Sequence, residues 1–145
     1  SETEKLVVTN ALETFRGVAY PWFCDSMGHM NTQHYCAMFD TATFHYLASL
    51  GGLNQLKSIG LGWADRRQTI TYEREVLAGE LVIIRTVPIR AGRTSVTYLH
   101  RMQNVETDTL HATCENVTVL FDLNKREAVP LTPEMRALSQ GDQES

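Results

Sequence analysis

One feature constrains the fold most: a single apolar segment of helical length, residues 33–50, followed only by segments that alternate like β-strands. Tyr35, Phe39 and Tyr46 recur at the three-to-four-residue spacing of one helical stripe. Apolar residues also lie off this stripe, which is typical of a helix buried on more than one side. The sequence therefore predicts one long buried helix, ended by the glycine pair at Gly51.

The rest of the chain indicates an antiparallel sheet. Alternating or β-branched segments predict strands at residues 5–18, 63–77, 81–90, 94–104 and 109–123. Pro88 indicates a sheet edge or a bulge in the third of these. A short helical piece is expected at 134–138 and a disordered tail at 139–145. The pattern is α+β: one curved antiparallel sheet wrapped around one long central helix, in a single domain of residues 1–145.

Composition narrows the class of protein. The chain has 145 residues, enough to bury a core without a disulfide or a metal, and a formal net charge of -4. This charge argues against a general nucleic-acid binder, which needs a basic face. Three scattered cysteines match no metal or redox motif and suit a reducing compartment. Neither a signal peptide nor a membrane span is evident, so we expect a cytoplasmic protein.

The chemistry is concentrated in the loop before the helix, residues 20–31. A helix start offers unpaired amides that suit a developing oxyanion, and the Asp25 carboxylate beside them could attack a carbonyl or activate water. Structural alternatives remain open from spacing alone. Asp25 could be a turn residue, His29 a structural side chain and Asn31 only a helix cap.

A resemblance favours the catalytic interpretation. The run Asp25-x-x-Gly28-His29-x-Asn31-x-x-x-Tyr35 resembles the signature of hydroxybenzoyl-CoA thioesterase-like proteins, which are acyl-CoA thioesterases of the hotdog fold. The similarity extends over residues 8–130. It includes the run Tyr72-Glu73-Arg74-Glu75, the turn Gly79-Glu80 and the hairpin Gly92-Arg93-Thr94-Ser95.

The resemblance implies roles for individual residues. Asp25 takes the position of the family's nucleophile or general base, and the amide near Thr32 the position that polarises the thioester carbonyl. His29 and Asn31 would shape the site or position water. Arg93, and more weakly Arg90, would contact the phosphates of coenzyme A. Relatives are homodimers or homotetramers whose sheets join edge to edge, and no metal or separate cofactor is expected.

The acyl group is expected to lie along the loop and the helix start. The residues assigned to substrate binding there are Tyr20, Trp22, Phe23, Gly28, His34 and Tyr35. Phe23 stands where many relatives have a second aspartate. A more apolar loop would raise the pKa of Asp25.

The leading hypothesis is hydrolysis of an acyl-CoA thioester to a free acid and coenzyme A. Two alternatives stay open: a hotdog hydratase or dehydratase that uses Asp25 with His29, and a non-catalytic acyl-CoA-binding module. The charged run at residues 73–75 is interpreted as a solvated edge or a subunit contact, and Arg66-Arg67 as an exposed basic pair. His100 and His111 receive no role.

Overall fold

The computed structural model describes residues 11–141. Its elements in chain order are β1 (Leu12–Val18), a 3-10 turn (Pro21–Phe23), α1 (Thr32–Ala48), α2 (Leu53–Ser58), β2 (Leu61–Tyr72), β3 (Leu81–Ala91), β4 (Ser95–Asn104), β5 (Leu110–Asp122), β6 (Glu127–Ala128) and α3 (Pro133–Leu138).

The strands form one antiparallel sheet in the order β1-β3-β4-β5-β2, and β6 pairs with the end of β5. Strand β2 is therefore an edge strand of the described sheet, although it comes directly after the helices in the chain. This arrangement brings the end of β2 next to the loop that precedes α1, because His29 forms a β-bridge with Leu77.

Helix α1 packs its buried stripe against the concave side of the sheet. Phe39 is 1% exposed and lies in one cluster with Ile84 of β3, Met102 of β4 and Cys114 of β5. Burying a side chain of this size contributes about 1.5–3 kcal/mol. The expected hotdog arrangement, a curved antiparallel sheet around one long helix, is confirmed.

Several elements begin or end at residues other than those predicted from the sequence. The short helix α2 was not predicted, and β2 ends at Tyr72 rather than at residue 77 because the next two amides both donate to the His111 carbonyl. Pro88 lies at a bulge in β3, an inner strand and not an edge. Residues 5–10 of the first predicted strand lie outside the described residues.

The predicted tail, residues 139–145, also lies partly outside the described residues. Ser139 is fully buried, and the Gly141 amide donates to the carbonyl of Ile89 at 3.1 Å. Ser139 and Gly141, in the segment expected to be disordered, thus make contacts with the rest of the fold. Residues 142–145 are not among those described.

A polar network crosses the core beneath α1. The buried His100 ring bonds Thr43 through Nε2 (2.9 Å) and Thr86 through Nδ1 (2.6 Å). The Asn116 amide donates to Thr43 at 3.0 Å, so the Thr43 hydroxyl can donate onward to Nε2, leaving the ring proton on Nδ1. Burial lowers the pKa of His100 to about 3, and the ring is neutral.

Candidate active site

Asp25 lies in a tight turn closed by its own side chain. Its Oδ1 accepts hydrogen bonds from the amides of Met27 (2.9 Å) and His29 (3.1 Å). The backbone closes the same turn, because the Asp25 amide donates to the His29 carbonyl and the Gly28 amide to the Asp25 carbonyl. Gly28 has a φ of +81°, a conformation that L side chains rarely adopt. The turn fixes one carboxylate oxygen and leaves the other without a protein donor among the described residues.

These hydrogen-bond donors lower the pKa of the Asp25 carboxyl group. The His29 amide, followed by the Met27 amide, holds the pKa of the carboxyl below its ordinary value, against the opposing effect of desolvation. The expectation that the apolar Phe23 would raise this pKa is therefore wrong. Phe23 stacks its ring on His34, and the Asp25 carboxylate accepts hydrogen bonds from backbone amides. Asp25 is an exposed, ionised carboxylate at neutral pH.

The start of α1 faces the same space. Asn31 occupies the N-cap position but makes no side-chain capping bond, so capping does not explain this residue. Its amide donates to the Phe23 carbonyl, which ties the helix start to the 3-10 turn. Within residues 11–141 the Thr32 amide has no acceptor, as expected for the first residue of a helix. A free helix-start amide suits a carbonyl oxygen that gains negative charge.

A cavity of about 400 Å³ joins these groups. Its lining residues are Asp25, Met27, His29, Met30, Asn31, Thr32, Tyr35, Tyr72, Glu73, Arg74 and Glu75. We call it the Asp25 cavity. The structure thus brings together all four residues predicted as catalytic, and with them Tyr35, whose hydroxyl accepts from the Val76 amide at 3.0 Å.

The opposite wall, residues 72–75, was not predicted as part of the site. Glu75 contacts the His29 ring, with Oε2 3.1 Å from Nε2, while 67% of its side chain stays exposed. The interpretation of residues 73–75 as a solvated edge agrees with their exposure. It did not predict that these residues form a wall of the Asp25 cavity. The local sequence pattern does not indicate that the chain leaves the sheet at Tyr72 and turns toward the loop of residues 20–31, the Asp25 loop. Only the fold shows this.

His111, which received no role, holds this wall. It is 2% exposed, its carbonyl accepts the Glu73 and Arg74 amides, and its Nδ1 lies 3.0 Å from the Arg74 carbonyl. On the other side, Nε2 lies 2.8 Å from Glu80 Oε2, although the two are not aligned as a hydrogen bond. His111 thus fixes one end of the segment that carries Glu75, at Glu73 and Arg74.

The predicted aromatic residues lie together but beside the cavity. Tyr20 and Trp22 stack with ring centroids 4.6 Å apart, and Phe23 stacks on His34 at 4.2 Å. Trp22 is 72% exposed. Within one chain these four rings form a surface where the Asp25 loop meets the start of α1, and they do not line the Asp25 cavity.

The two predicted phosphate-binding arginines lie elsewhere. Arg90 is near the end of β3, and Arg93 is in the turn between β3 and β4, where its carbonyl accepts from Leu131 and from Arg136. Neither lines the Asp25 cavity.

Residues 20–138 match the family model described as the thioesterase-like superfamily. The chain belongs to this superfamily. The match covers the Asp25 loop, α1, the whole sheet after it and α3, so the prediction of a thioesterase is confirmed at the level of the family. A search of curated proteins found no match.

Solved structures agree on the fold. A hypothetical protein of Staphylococcus aureus in complex with CoA is similar with a TM-score of 0.80 and 14% identity, covering 93% of this chain and 90% of that one. The probable thioesterase YbaW of Escherichia coli has a TM-score of 0.76 and 15% identity, over 87% and 98% of the two chains. A 1,4-dihydroxy-2-naphthoyl-CoA thioesterase of Synechocystis has a TM-score of 0.71 and 17% identity, over 86% and 92%.

Two further findings concern metal binding and membrane-spanning helices. Among residues 11–141, no group of three or more histidine, cysteine, aspartate and glutamate side chains is arranged to hold a metal ion. None of the helices in this part of the chain has the length and apolar character needed to cross a membrane.

Proposed function

We propose that this protein hydrolyses an acyl-CoA thioester to a free carboxylic acid and coenzyme A, with Asp25 as the catalytic carboxylate. The observation that carries the proposal is the Asp25 turn: two backbone amides fix Oδ1 at the edge of a cavity that is also lined by Thr32, whose amide has no acceptor among residues 11–141. A positioned carboxylate and a carbonyl-polarising amide are the two groups that acyl transfer from an activated thioester requires.

The reaction can follow either of two routes, nucleophilic or general-base catalysis. As a nucleophile, the Asp25 carboxylate adds to the thioester carbon, the C–S bond breaks, and the thiolate of coenzyme A takes up a proton; water then hydrolyses the mixed anhydride and restores Asp25. As a general base, Asp25 takes a proton from the water that adds to the same carbon; the C–S bond then breaks, and the proton held by Asp25 passes to the thiolate of coenzyme A, which restores the carboxylate. In both routes the Thr32 amide stabilises the oxyanion.

The link to coenzyme A is supported by the fold relatives. One similar structure is described in complex with CoA, and another is described as a thioesterase of a naphthoyl-CoA. Both are less than 20% identical to this chain, so they support the ligand class and leave the acyl group open.

The contacts of His29 argue against the hydratase alternative. The hydratase alternative uses Asp25 and His29 as a side-chain pair, but the His29 ring contacts Glu75, while Asp25 is bound by the His29 backbone. A non-catalytic module is less favoured because it needs no ionised carboxylate beside the thioester.

Release of free thiol from a panel of acyl-CoAs tests the proposal. The panel should contain aromatic, short-chain, branched and charged acyl groups, with coenzyme A and the free acid both quantified. We expect stoichiometric release of both from at least one substrate. Binding of acyl-CoA without release would favour the non-catalytic module, and water addition to an enoyl-CoA would favour the hydratase.

A homo-oligomer remains our expectation for the assembly. Edge strand β2 offers 12 residues of backbone, and an apolar cavity of about 250 Å³ beside it is lined in part by Phe44, Leu47 and Trp63. Phe44 is 57% exposed in the single chain. A second copy that paired with β2 would cover both features. Light scattering of the purified protein measures the molar mass that decides this.

A further inference from the structure

The wall formed by residues 72–75 has open space on both of its sides. Arg74 and Glu75 line the Asp25 cavity, and both also line a second cavity of about 500 Å³. Both side chains are exposed, so little packing holds them in place. The position of the wall therefore depends on the bonds made at its two ends.

Both ends of the wall are held by hydrogen bonds. After the wall, the Met30 amide donates to the Val76 carbonyl at 2.9 Å, and the Val76 amide donates to the Tyr35 hydroxyl at 3.0 Å. Before the wall, the amides of residues 73 and 74 both donate to the His111 carbonyl. One end is thus tied to the helix side of the site and the other end to β5.

The His111 ring adds a further bond at the second of these ends. Its Nδ1 lies 3.0 Å from the Arg74 carbonyl, which accepts and cannot donate, so Nδ1 carries a proton. Its Nε2 lies 2.8 Å from Glu80 Oε2, although the two atoms are not aligned as a hydrogen bond. Without a proton between them, two lone pairs would face each other at this distance. A proton between Nε2 and Oε2 removes this repulsion.

Burial makes the location of this proton matter. The side chain of His111 is 3% exposed and that of Glu80 is 24% exposed, so an unpaired charge or an unbonded nitrogen would cost free energy here. An imidazole is ordinarily a stronger base than a carboxylate, which places the proton on the ring. The pair is then an imidazolium held by a carboxylate.

The other groups around the pair come from three parts of the fold. The wall contributes the charged Arg74 and Glu75, and the turn between β4 and β5 contributes an asparagine and two threonines. On the α1 side, burial raises the pKa of Tyr35, and the nearby charges of Glu75 and Glu80 add to this effect. Glu80 is therefore the carboxylate in contact with the His111 ring.

Glu80 also connects the pair to the base of the Asp25 loop. The Ala19 amide donates to the Glu80 carbonyl at 2.9 Å, and the Gly79 amide donates to the Ala19 carbonyl at 2.7 Å. Glu80 is thus fixed by the residue that precedes the loop. The His111 ring lies between Glu80 and the Arg74 carbonyl, and so it joins the base of the loop to the wall.

We infer that His111 carries a proton on both ring nitrogens, that Glu80 binds the Nε2 proton, and that this pair positions the wall for the reaction at Asp25. The last part rests on the proposed function. The effect reaches the site through Glu75, whose Oε2 lies 3.1 Å from Nε2 of His29, the residue whose amide holds the Asp25 carboxylate. Neither His111 nor Glu80 lines the Asp25 cavity, so both are positioning residues.

Nitrogen-15 NMR of the histidine-labelled protein tests the proton without requiring catalysis. The His111 ring is assigned as the signal missing from His111→Gln. At pH 7 we expect both ring nitrogens of His111 to be protonated in the wild type. In Glu80→Gln we expect a proton on Nδ1 alone, because the glutamine amide can donate to a bare Nε2. A wild-type His111 ring with a single protonated nitrogen would overturn the inference.

The same spectra report the position of the wall, because Glu75 contacts the His29 ring. The His29 signals should shift in His111→Gln and stay in place in His100→Gln. His100 is the matched control, since it is also fully buried but bonds Thr43 and Thr86 and not the wall. His29 signals that do not move in His111→Gln would refute the positioning role. Glu80→Ala carries the same test should His111→Gln fail to fold.

Kinetics connect the pair with the reaction. On an acyl-CoA that the wild type hydrolyses, His111→Gln and Glu80→Ala should each lower kcat about tenfold and change KM less than about twofold. Glu80→Gln should recover part of this loss, and His100→Gln should keep the wild-type kcat at pH 7. Loss of the Nε2 proton at high pH should lower kcat/KM in the wild type but not in Glu80→Gln, a difference that a purely structural role does not produce.

The outcomes separate this inference from the proposed function. Wild-type hydrolysis with an unaltered kcat in both His111→Gln and Glu80→Ala would refute the positioning role alone. Absence of hydrolysis in the wild type would refute the proposed function, while the NMR spectra would still decide the proton and the position of the wall.

Discussion

Asp25 and His29 bind each other through two hydrogen bonds: the His29 amide donates to Asp25 Oδ1 at 3.1 Å, and the His29 carbonyl accepts from the Asp25 amide at 2.9 Å. The position of the carboxylate is thus set by the backbone of its own turn. The His29 ring is left free to contact Glu75 across the cavity. This explains how an exposed aspartate keeps a defined position without a side-chain partner.

The first prediction concerns pH. Because backbone amides hold the pKa of Asp25 below its ordinary value, the active carboxylate persists as the pH falls and is lost only as the pH passes through that lowered pKa. The acidic limb of kcat/KM should therefore lie below the usual range of an aspartate. An acidic limb of kcat/KM near pH 6 would show that the backbone amides do not lower the pKa of Asp25 as the structure indicates.

The second prediction concerns Gly28. It has a φ of +81° and open space around the position of a Cβ, so Gly28→Ala strains only the backbone, at about 1–2 kcal/mol of unfolding free energy. The strain falls on the Asp25 turn, and kcat should fall with it. Gly79→Ala is the control, since Gly79 also has a positive φ (+89°) and open space. Urea unfolding should show a similar loss in both, and equal loss of kcat would contradict the assigned role of the turn.

The third prediction concerns Glu75. Its contact with His29 is largely exposed, so Glu75→Gln should change the unfolding free energy by less than about 1 kcal/mol. If Glu75 positions the His29 ring, kcat should fall by up to about tenfold, with KM little changed. Glu127→Gln removes a charge from the exposed strand β6, which does not line the cavity, and should keep the wild-type kcat. Equal kinetics of the two variants would leave Glu75 with no specific role.

The fourth prediction concerns stability and His100. Its pKa is lowered to about 3 by burial, so below its ordinary value of 6.5 the unfolded chain binds a proton that the folded chain does not. The stability is therefore complete above pH 6.5 and declines toward pH 3, by up to about 1.4 kcal/mol per pH unit. Urea unfolding from pH 7 to 4 should show this slope reduced in His100→Gln. Parallel pH curves would show that His100 titrates in the folded protein.

Much of the fold could be predicted because its signals are local. The apolar stripe that contains Phe39 marks the helix, and two-residue alternation marks the strands. The Asp25 loop was found because its residues lie close together in sequence. Glu75 and His111 were missed because they join the site only through the β2–β5 pairing, 50 and more residues after Asp25.

Two further features could not be obtained from sequence patterns. A bulge in β2 at Arg66 depends on the register with β5, a strand far away in the chain, and no local signal marks it. The low pKa of Asp25 depends on which backbone amides point at its carboxylate, whereas the loop composition suggested the opposite shift.

The most direct test of the account is release of free thiol by Asp25→Asn compared with the wild type, on the acyl-CoA that the wild type turns over best. An asparagine Oδ1 can still accept the Met27 and His29 amides, so the turn should persist and equal unfolding curves should confirm it. The account predicts a fall in kcat of about 10²–10⁴-fold with coenzyme A binding retained. Turnover by Asp25→Asn at the wild-type rate would contradict it.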